Sequence, residues 1–166
     1  PLNDATNPDL SAFKKAGGKL ILWHGWADQH ISPLFTIAYY QALQNTMGQS
    51  SASEFSRLYV VPGVGHCGGG EGFPNIDLVS QITAWVEQGN APNSVMTYQT
   101  DTSNNVTASR PVYPYPAIAK FTGSGDWHSG ANYAQAAPLY NDAAPAWAGS
   151  SFYTAYTPKT QGVAAP

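Results

Sequence analysis

Charge is scarce in this chain. Only 10% of its 166 residues are Asp, Glu, Lys or Arg, against about 25% in an ordinary globular domain. Lys and Arg total 7 and Asp and Glu total 10, so the net charge is −3. Nucleic-acid binding needs clustered cations to replace the counterions along phosphates. A polybasic membrane surface needs the same clustering, so neither partner is expected. No apolar run approaches the ~20 residues of a bilayer span. The first residues, Pro1-Leu2-Asn3-Asp4, carry no initiator Met and none of the basic and apolar regions of a signal peptide, as in a processed product. Cysteine is nearly absent too. The single Cys67 reads as one half of an intermolecular bond, as a free reactive thiol, or as a buried structural thiol.

What is present fits an extracellular protein: aromatics at 13%, abundant Gly, Ser, Thr and Asn, and one glycosylation sequon at Asn105-Val106-Thr107. A length of 166 residues allows one domain that buries roughly 70% of its extended-chain surface.

The first 90 or so residues alternate helix and strand signals. Asn7-Pro8-Asp9 and Gly17-Gly18 bracket a short helix over 8–16. Lys19-Leu20-Ile21-Leu22-Trp23-His24 reads as a strand buried on both faces. Ser32-Pro33 opens a helix whose Ile37, Tyr40, Leu43 and Met47 recur at helical spacing before Gly48. Residues 57–61 form a second strand, and the glycine-rich loop 63–72 follows it. A helix over 77–88 turns Leu78, Val79, Ile82, Trp85 and Val86 inward and stops at Gly89. This α-β-α-β-α order predicts an α/β fold with parallel strands and right-handed crossovers. Two strands do not complete such a sheet, so other strands must come from elsewhere. Residues 94–100 offer one more strand. Beyond them the chain is rich in Pro, Ala, Ser and Tyr. Its aromatics (Tyr113, Tyr115, Phe121, Trp127, Trp147, Phe152) predict a segment wrapped over the rest of the fold. The expected division is 1–92, part of the α/β domain, and 93–166, an extension packed on it.

The chemistry concentrates in two loops, His24–His30 and Gly63–Gly68, each following a predicted strand. In open α/β sheets ligands bind beyond the carboxyl ends of the strands. Parallel neighbours lie about 4.8 Å apart, so one αβ crossover sets Asp28 beside His66. An Asp that orients a His is the acid–base half of a nucleophilic triad. The order Asp then His matches that of α/β-hydrolases, in which the Ser comes first. No G-x-S-x-G elbow occurs here, so the nucleophile is expected upstream of Pro1. Asp28 as a simple turn cap and His66 as a surface residue are the competing readings. His24 is expected to hold its loop by hydrogen bonding. His30 and His128 have no evident role, and Trp26 either walls an aromatic pocket or packs the loop. His24, His30, His66 and Cys67 lack the tight spacings of a zinc site, so no metal is expected.

Taken together, 18–33 (Gly-Lys-Leu-Ile-Leu-Trp-His-Gly-Trp-Ala-Asp-Gln-His-Ile-Ser-Pro) and 61–70 (Val-Pro-Gly-Val-Gly-His-Cys-Gly-Gly-Gly) resemble the fungal tannase and feruloyl esterase family. Ala84–Pro92, Arg110-Pro111, Tyr113–Pro116 and Gly123–Asp126 extend the resemblance over most of 10–126. It implies an α/β-hydrolase with a Ser-Asp-His triad, in which Asp28 is the acid and His66 the base. It also implies that Cys67 is disulfide-bonded to a Cys beside the nucleophilic Ser. That Ser, the oxyanion hole and a lid domain, with any calcium, are then expected in a disulfide-linked N-terminal chain of the same precursor. Family members often carry a further Cys near position 113, where this chain has Tyr113. The implied substrates are phenolic esters, galloyl first and feruloyl second. The alternative is a non-catalytic secreted binding or structural module whose Trp127 and Trp147 stack on sugars or phenolics.

Overall fold

A computed structural model describes residues 6–139. The first helix, α1 (Ser11–Lys15), starts later than Pro8 predicts. The Asn7 and Asp9 carboxamide and carboxylate oxygens accept the backbone N–H groups of Asp9 and Ser11 two residues on. Such local turns compete with the first helical turn.

Strands β1 (Leu20–Gly25) and β2 (Ser56–Val61) pair in parallel, in register from Leu20–Ser56 to Gly25–Val61. Their carboxyl ends therefore lie level with each other. The crossover is α2 (Pro33–Met47), with Ser32 Oγ accepting the Leu34 N–H and Pro33 at its first position, followed by the short α3 (Gln49–Ser53). Period-2 alternation then sorts the core. Leu22, Leu58 and Val60 face α2, packing on Ile37 and Tyr40. Ile21, Tyr59 and Val61 face the other way, toward Val64, Val95 and Val112.

The expectation of a strand buried on both faces fails in part for β1. Trp23 is exposed and Leu20, Ile21 and Leu22 are only half-buried. Among the described residues β2 is the only strand paired with β1, so the other edge of β1 is open. The edge of β2 is partly covered where the Tyr115 N–H donates to the Leu58 carbonyl at 2.8 Å.

Helix α4 (Leu78–Gln88) is capped by Asp77 at its start and by left-handed Gly89 at its end. Only Trp85 is buried on it, with Lys19 and Arg57 over its ring. Val79 and Val86, expected inward, are exposed. They lie seven residues apart on the flank of the stripe through Leu78, Ile82 and Trp85.

The chain beyond residue 100 holds more strand than its composition predicts. β3 (Asn75–Ile76), β4 (Val95–Thr100) and β5 (Val106–Val112) form an antiparallel sheet. β6 (Ile118–Phe121) pairs with β7 (Tyr133–Ala136), which follows a 3-10 turn at Gly130–Asn132. Pro111 concealed β5. The Ser109 N–H points away from β4, to the His128 carbonyl at 2.8 Å. Pro111, two residues on, faces the same side, so its missing N–H costs no bond to β4. Val95 and Val112 share a core with Tyr59 and Val61, so residues on both sides of position 92 pack together. Trp147 and Phe152 lie outside the described residues.

Candidate active site

The level ends of β1 and β2 place two loops side by side. Gly25 has no room for a side chain, since a Cβ there would sit 2.3 Å from the Val64 carbonyl oxygen. The loops are also laced together. The Trp26 N–H donates to the Val61 carbonyl and the Ala27 N–H to the Val64 carbonyl, at 2.8 and 2.9 Å. The second loop folds back on itself through a Val64–Gly70 bridge and a Gly72 N–H bond to the Gly63 carbonyl. Val64 anchors it in the core.

This arrangement brings Asp28 and His66 together. Asp28 Oδ2 lies 2.8 Å from His66 Nδ1 and 3.1 Å from His24 Nε2. Asp28 Oδ1 accepts the His30 and Ile31 N–H groups at 2.8 and 2.9 Å. A carboxylate offers about four lone-pair directions, and all four are used. The Asp28 side chain is only 4% exposed. Burial alone would raise its pKa. The Ile31 N–H, the His66 ring and the His30 N–H, with the attraction of His66, outweigh burial and hold it well below the usual carboxylate range.

The protons follow from the partners. His66 Nδ1 faces a carboxylate, so it carries the hydrogen and leaves the Nε2 lone pair free as a base. The His66 side chain is 39% exposed, so that lone pair is reachable from outside. His24 Nε2 faces two acceptors, Asp28 Oδ2 and the Ile31 carbonyl, and therefore donates, while Nδ1 lies 2.7 Å from Thr36 Oγ1. His24 thus braces the carboxylate as well as the loop, a role the sequence reading gave only in part. Its spacing of four residues from Asp28 across a tight turn was the available signal. His30, which had no role in the sequence reading, sets its ring edge-on to His66 with centroids 5.3 Å apart.

Asp28, His30 and His66 also present ligand-capable atoms within 4.8 Å of one another. With all four Asp28 positions taken, a cation would have to break one of these bonds. Trp26 is about half exposed beside the pair. Cys67 is exposed and free, and holds a left-handed φ of 57° at the loop tip. That conformation is uncommon for a residue with a side chain. Asn105 lies in the β4–β5 hairpin, exposed, with its Nδ2 donating to Asp101. No described hydroxyl bonds the His66 ring, whose described side-chain hydrogen bond goes to Asp28. No helix among them is long and apolar enough to cross a membrane.

Comparison with known proteins supplies the context. Residues 1–136 match the model of a family described as tannase and feruloyl esterase. The chain is similar to mono(2-hydroxyethyl) terephthalate hydrolase of Piscinibacter sakaiensis, 45% identical over 136 residues, covering 81% of this chain and 22% of that protein. It is 42% identical over 128 residues to a protein of Arthroderma benhamiae named probable feruloyl esterase, covering 75% of this chain and 24% of that one. Among solved structures, feruloyl esterase B from Aspergillus oryzae superposes with a TM-score of 0.71 at 28% identity, over 78% of this chain and 29% of that chain. The chain thus spans about a quarter of the length of the curated relatives it matches.

Proposed function

Because the chain belongs to the tannase and feruloyl esterase family, we propose that it supplies the acid and base of a serine carboxylic ester hydrolase of the α/β-hydrolase fold. The observation that carries this reading is the buried, fully bonded Asp28 carboxylate aligned on His66 Nδ1 at 2.8 Å. Residues 1–92 are then part of the catalytic domain and 93–166 an extension of it.

The proposed reaction is acyl transfer to water. A Ser hydroxyl from outside these residues attacks the ester carbonyl while His66 Nε2 takes its proton. Asp28 stabilises the resulting imidazolium and holds the ring's orientation. The tetrahedral intermediate collapses as His66 returns the proton to the departing alcohol oxygen, leaving an acyl-serine. Water then attacks the acyl-serine, giving its proton to His66, which passes it back to the Ser oxygen as the carboxylic acid leaves.

The names of the relatives share an ester of an aromatic acid, feruloyl or terephthalate. They support aromatic carboxylic esters as the substrate class, with galloyl and feruloyl esters the two to assay first. Trp26 would wall the aromatic group. In this reading Cys67 bonds a Cys beside the Ser in a companion chain of the same precursor. That chain also carries the lid and any calcium, and the enzyme is secreted, with Asn105 glycosylated.

An organophosphorus fluoride, which phosphorylates activated serines, tests the proposal on the native protein by mass before and after reduction. The expected label sits on a Ser of a species that reduction separates from this chain, and Asp28→Asn abolishes rapid labelling. A label on this chain, or equal labelling in Asp28→Asn, overturns the split triad. No labelling with retained binding of sugars or phenolics returns the module reading.

A further inference from the structure

The loop that carries His66 is built largely of glycine, at positions 63, 65, 68, 69, 70 and 72, and has few side chains with which to fix itself. Its entry is anchored by Val64 in the core. Its exit has a different support. Phe73, only 8% exposed, lies against the guanidinium of Arg110, whose Cζ is 4.7 Å from the ring centre. The guanidinium Cζ also lies 4.8 Å from the Tyr133 ring centre. One Nη donates to the Tyr133 hydroxyl at 2.8 Å, and that hydroxyl donates to the Trp127 carbonyl at 2.9 Å. A half-open pocket of about 170 Å³ adjoins the loop stem, lined among others by Pro62, Gly63, Gly72, Phe73, Thr97 and Arg110. The Phe73–Arg110 contact lies at this stem.

Arg110 Nε is buried with no protein partner among the described residues. A buried N–H left without an acceptor is destabilising. The Nη bond to the Tyr133 hydroxyl and the cation–π contacts with the Phe73 and Tyr133 rings hold the guanidinium in place despite that orphan.

We infer that Arg110 is a positioning residue for ester hydrolysis. It ties Phe73 to Tyr133 and so fixes the position of the His66 loop relative to Asp28. The inference rests on the reading of His66 as the base. Displacement of a catalytic group by about 1 Å costs on the order of 100-fold in rate, so a clamp on a glycine loop acts on kcat.

The test uses the intact enzyme, with the segment that supplies the nucleophile present. Arg110→Met and Phe73→Leu should each lower kcat by about 10–100-fold with KM within about twofold. The double variant should be no worse than the poorer single one, because the two side chains act as a unit. Arg110→Lys, which keeps the charge and loses the plane, should not restore kcat. The low-field proton resonance of the Asp28–His66 hydrogen bond should weaken in every clamp variant. Ala52→Gly, in the core beside Leu43 and Phe55, serves as the control. It should lower the thermal midpoint while leaving kcat and that resonance in place.

The inference is overturned by an Arg110→Met kcat within twofold of the parent, by additive losses in the double variant, by rescue with Lys, or by an unaltered resonance. It is also overturned if Ala52→Gly loses as much activity. Full turnover by His66→Ala would instead overturn the reading of the site, whatever Arg110 does. Should Arg110→Met not fold, Arg110→Lys and Phe73→Leu decide the matter by the same readouts.

Discussion

Among the described residues, two Asp–His pairs share one Nδ1–carboxylate distance, and they differ in almost everything else. Asp28–His66 and Asp126–His128 each join a carboxylate oxygen to an imidazole Nδ1 at 2.8 Å. Asp28 is 4% exposed and Asp126 65%. The first pair spans two loops held by separate strands, whereas the second lies two residues apart in one turn, where Asp126 also accepts the His128 N–H. That backbone bond, then the ring contact and charge of His128, lower the Asp126 pKa. At Asp28 similar bonds must first overcome burial. His128 lies against Trp127, with ring centroids 3.7 Å apart. The difference teaches that one Asp–His distance occurs in two unlike settings. Burial of the carboxylate and saturation of its lone pairs single out Asp28–His66, the pair proposed as acid and base.

The largest expected effect separates the pairs by activity. Asp28→Asn and His66→Ala should lower kcat for an aromatic ester by about 10³–10⁴-fold. Asp126→Asn and His128→Ala should stay within about twofold. Comparable losses from both pairs, measured by steady-state kinetics, would erase the distinction.

A second effect strikes the lacing of the two loops that carry Asp28 and His66. Gly25→Ala drives a methyl into the Val64 carbonyl and should cost about 1–3 kcal/mol of stability by overpacking. The accompanying fall in kcat should approach 100-fold. A variant with parental stability and turnover would show that the two loops are not held by this contact.

His24→Phe removes one of the four bonds to Asp28 and leaves the His66 bond. A loss of about tenfold in kcat is expected, smaller than that of either dyad member. A loss as large as that of Asp28→Asn would make His24 a full partner in the dyad.

The smallest effect is on acid stability. The fold lowers the pKa of Asp28, so its contribution is complete above the ordinary carboxylate pKa of about 4 and fades as pH falls below it. Asp28→Asn should flatten the acid side of the thermal-midpoint curve below about pH 4. Asp126→Asn should change it less. Equal curves for the two variants would contradict the environments described.

Much of this comparison was legible in the sequence, for local reasons. Ser32-Pro33, Gly48, Asp77 and Gly89 mark helix ends through side-chain and backbone chemistry that needs no distant partner. The run Leu20–Trp23 and the run Leu58–Val61 are strands by composition, and a single crossover between them aligns Asp28 with His66. What escaped depends on distant neighbours. β5 was hidden by Pro111, which is harmless only because its nitrogen faces away from β4. The exposure of Val79 and Val86 follows from which face of α4 meets the sheet. The Phe73–Arg110–Tyr133 stack joins residues far apart in the chain, and no local pattern announces it. The second bond from His24 to Asp28 was within reach, since residue spacing in a tight turn limits the distance between their side chains.

The open edge of β1 has a consequence for how such a protein must be made. Leu20-Ile21-Leu22-Trp23-His24 is a short, uncharged, proline-free segment of high β-propensity, and one row of its backbone donors and acceptors is unpaired by any described strand. Segments of this composition, exposed along an edge, template edge-to-edge addition of further copies. If the proposed companion chain supplies the rest of the sheet, its strand that covers this edge does the work of a chaperone. Until it docks, newly made chains compete with it as partners for one another. Yield on refolding should consequently fall as chain concentration rises, since self-association is second order and docking of a tethered strand is first order.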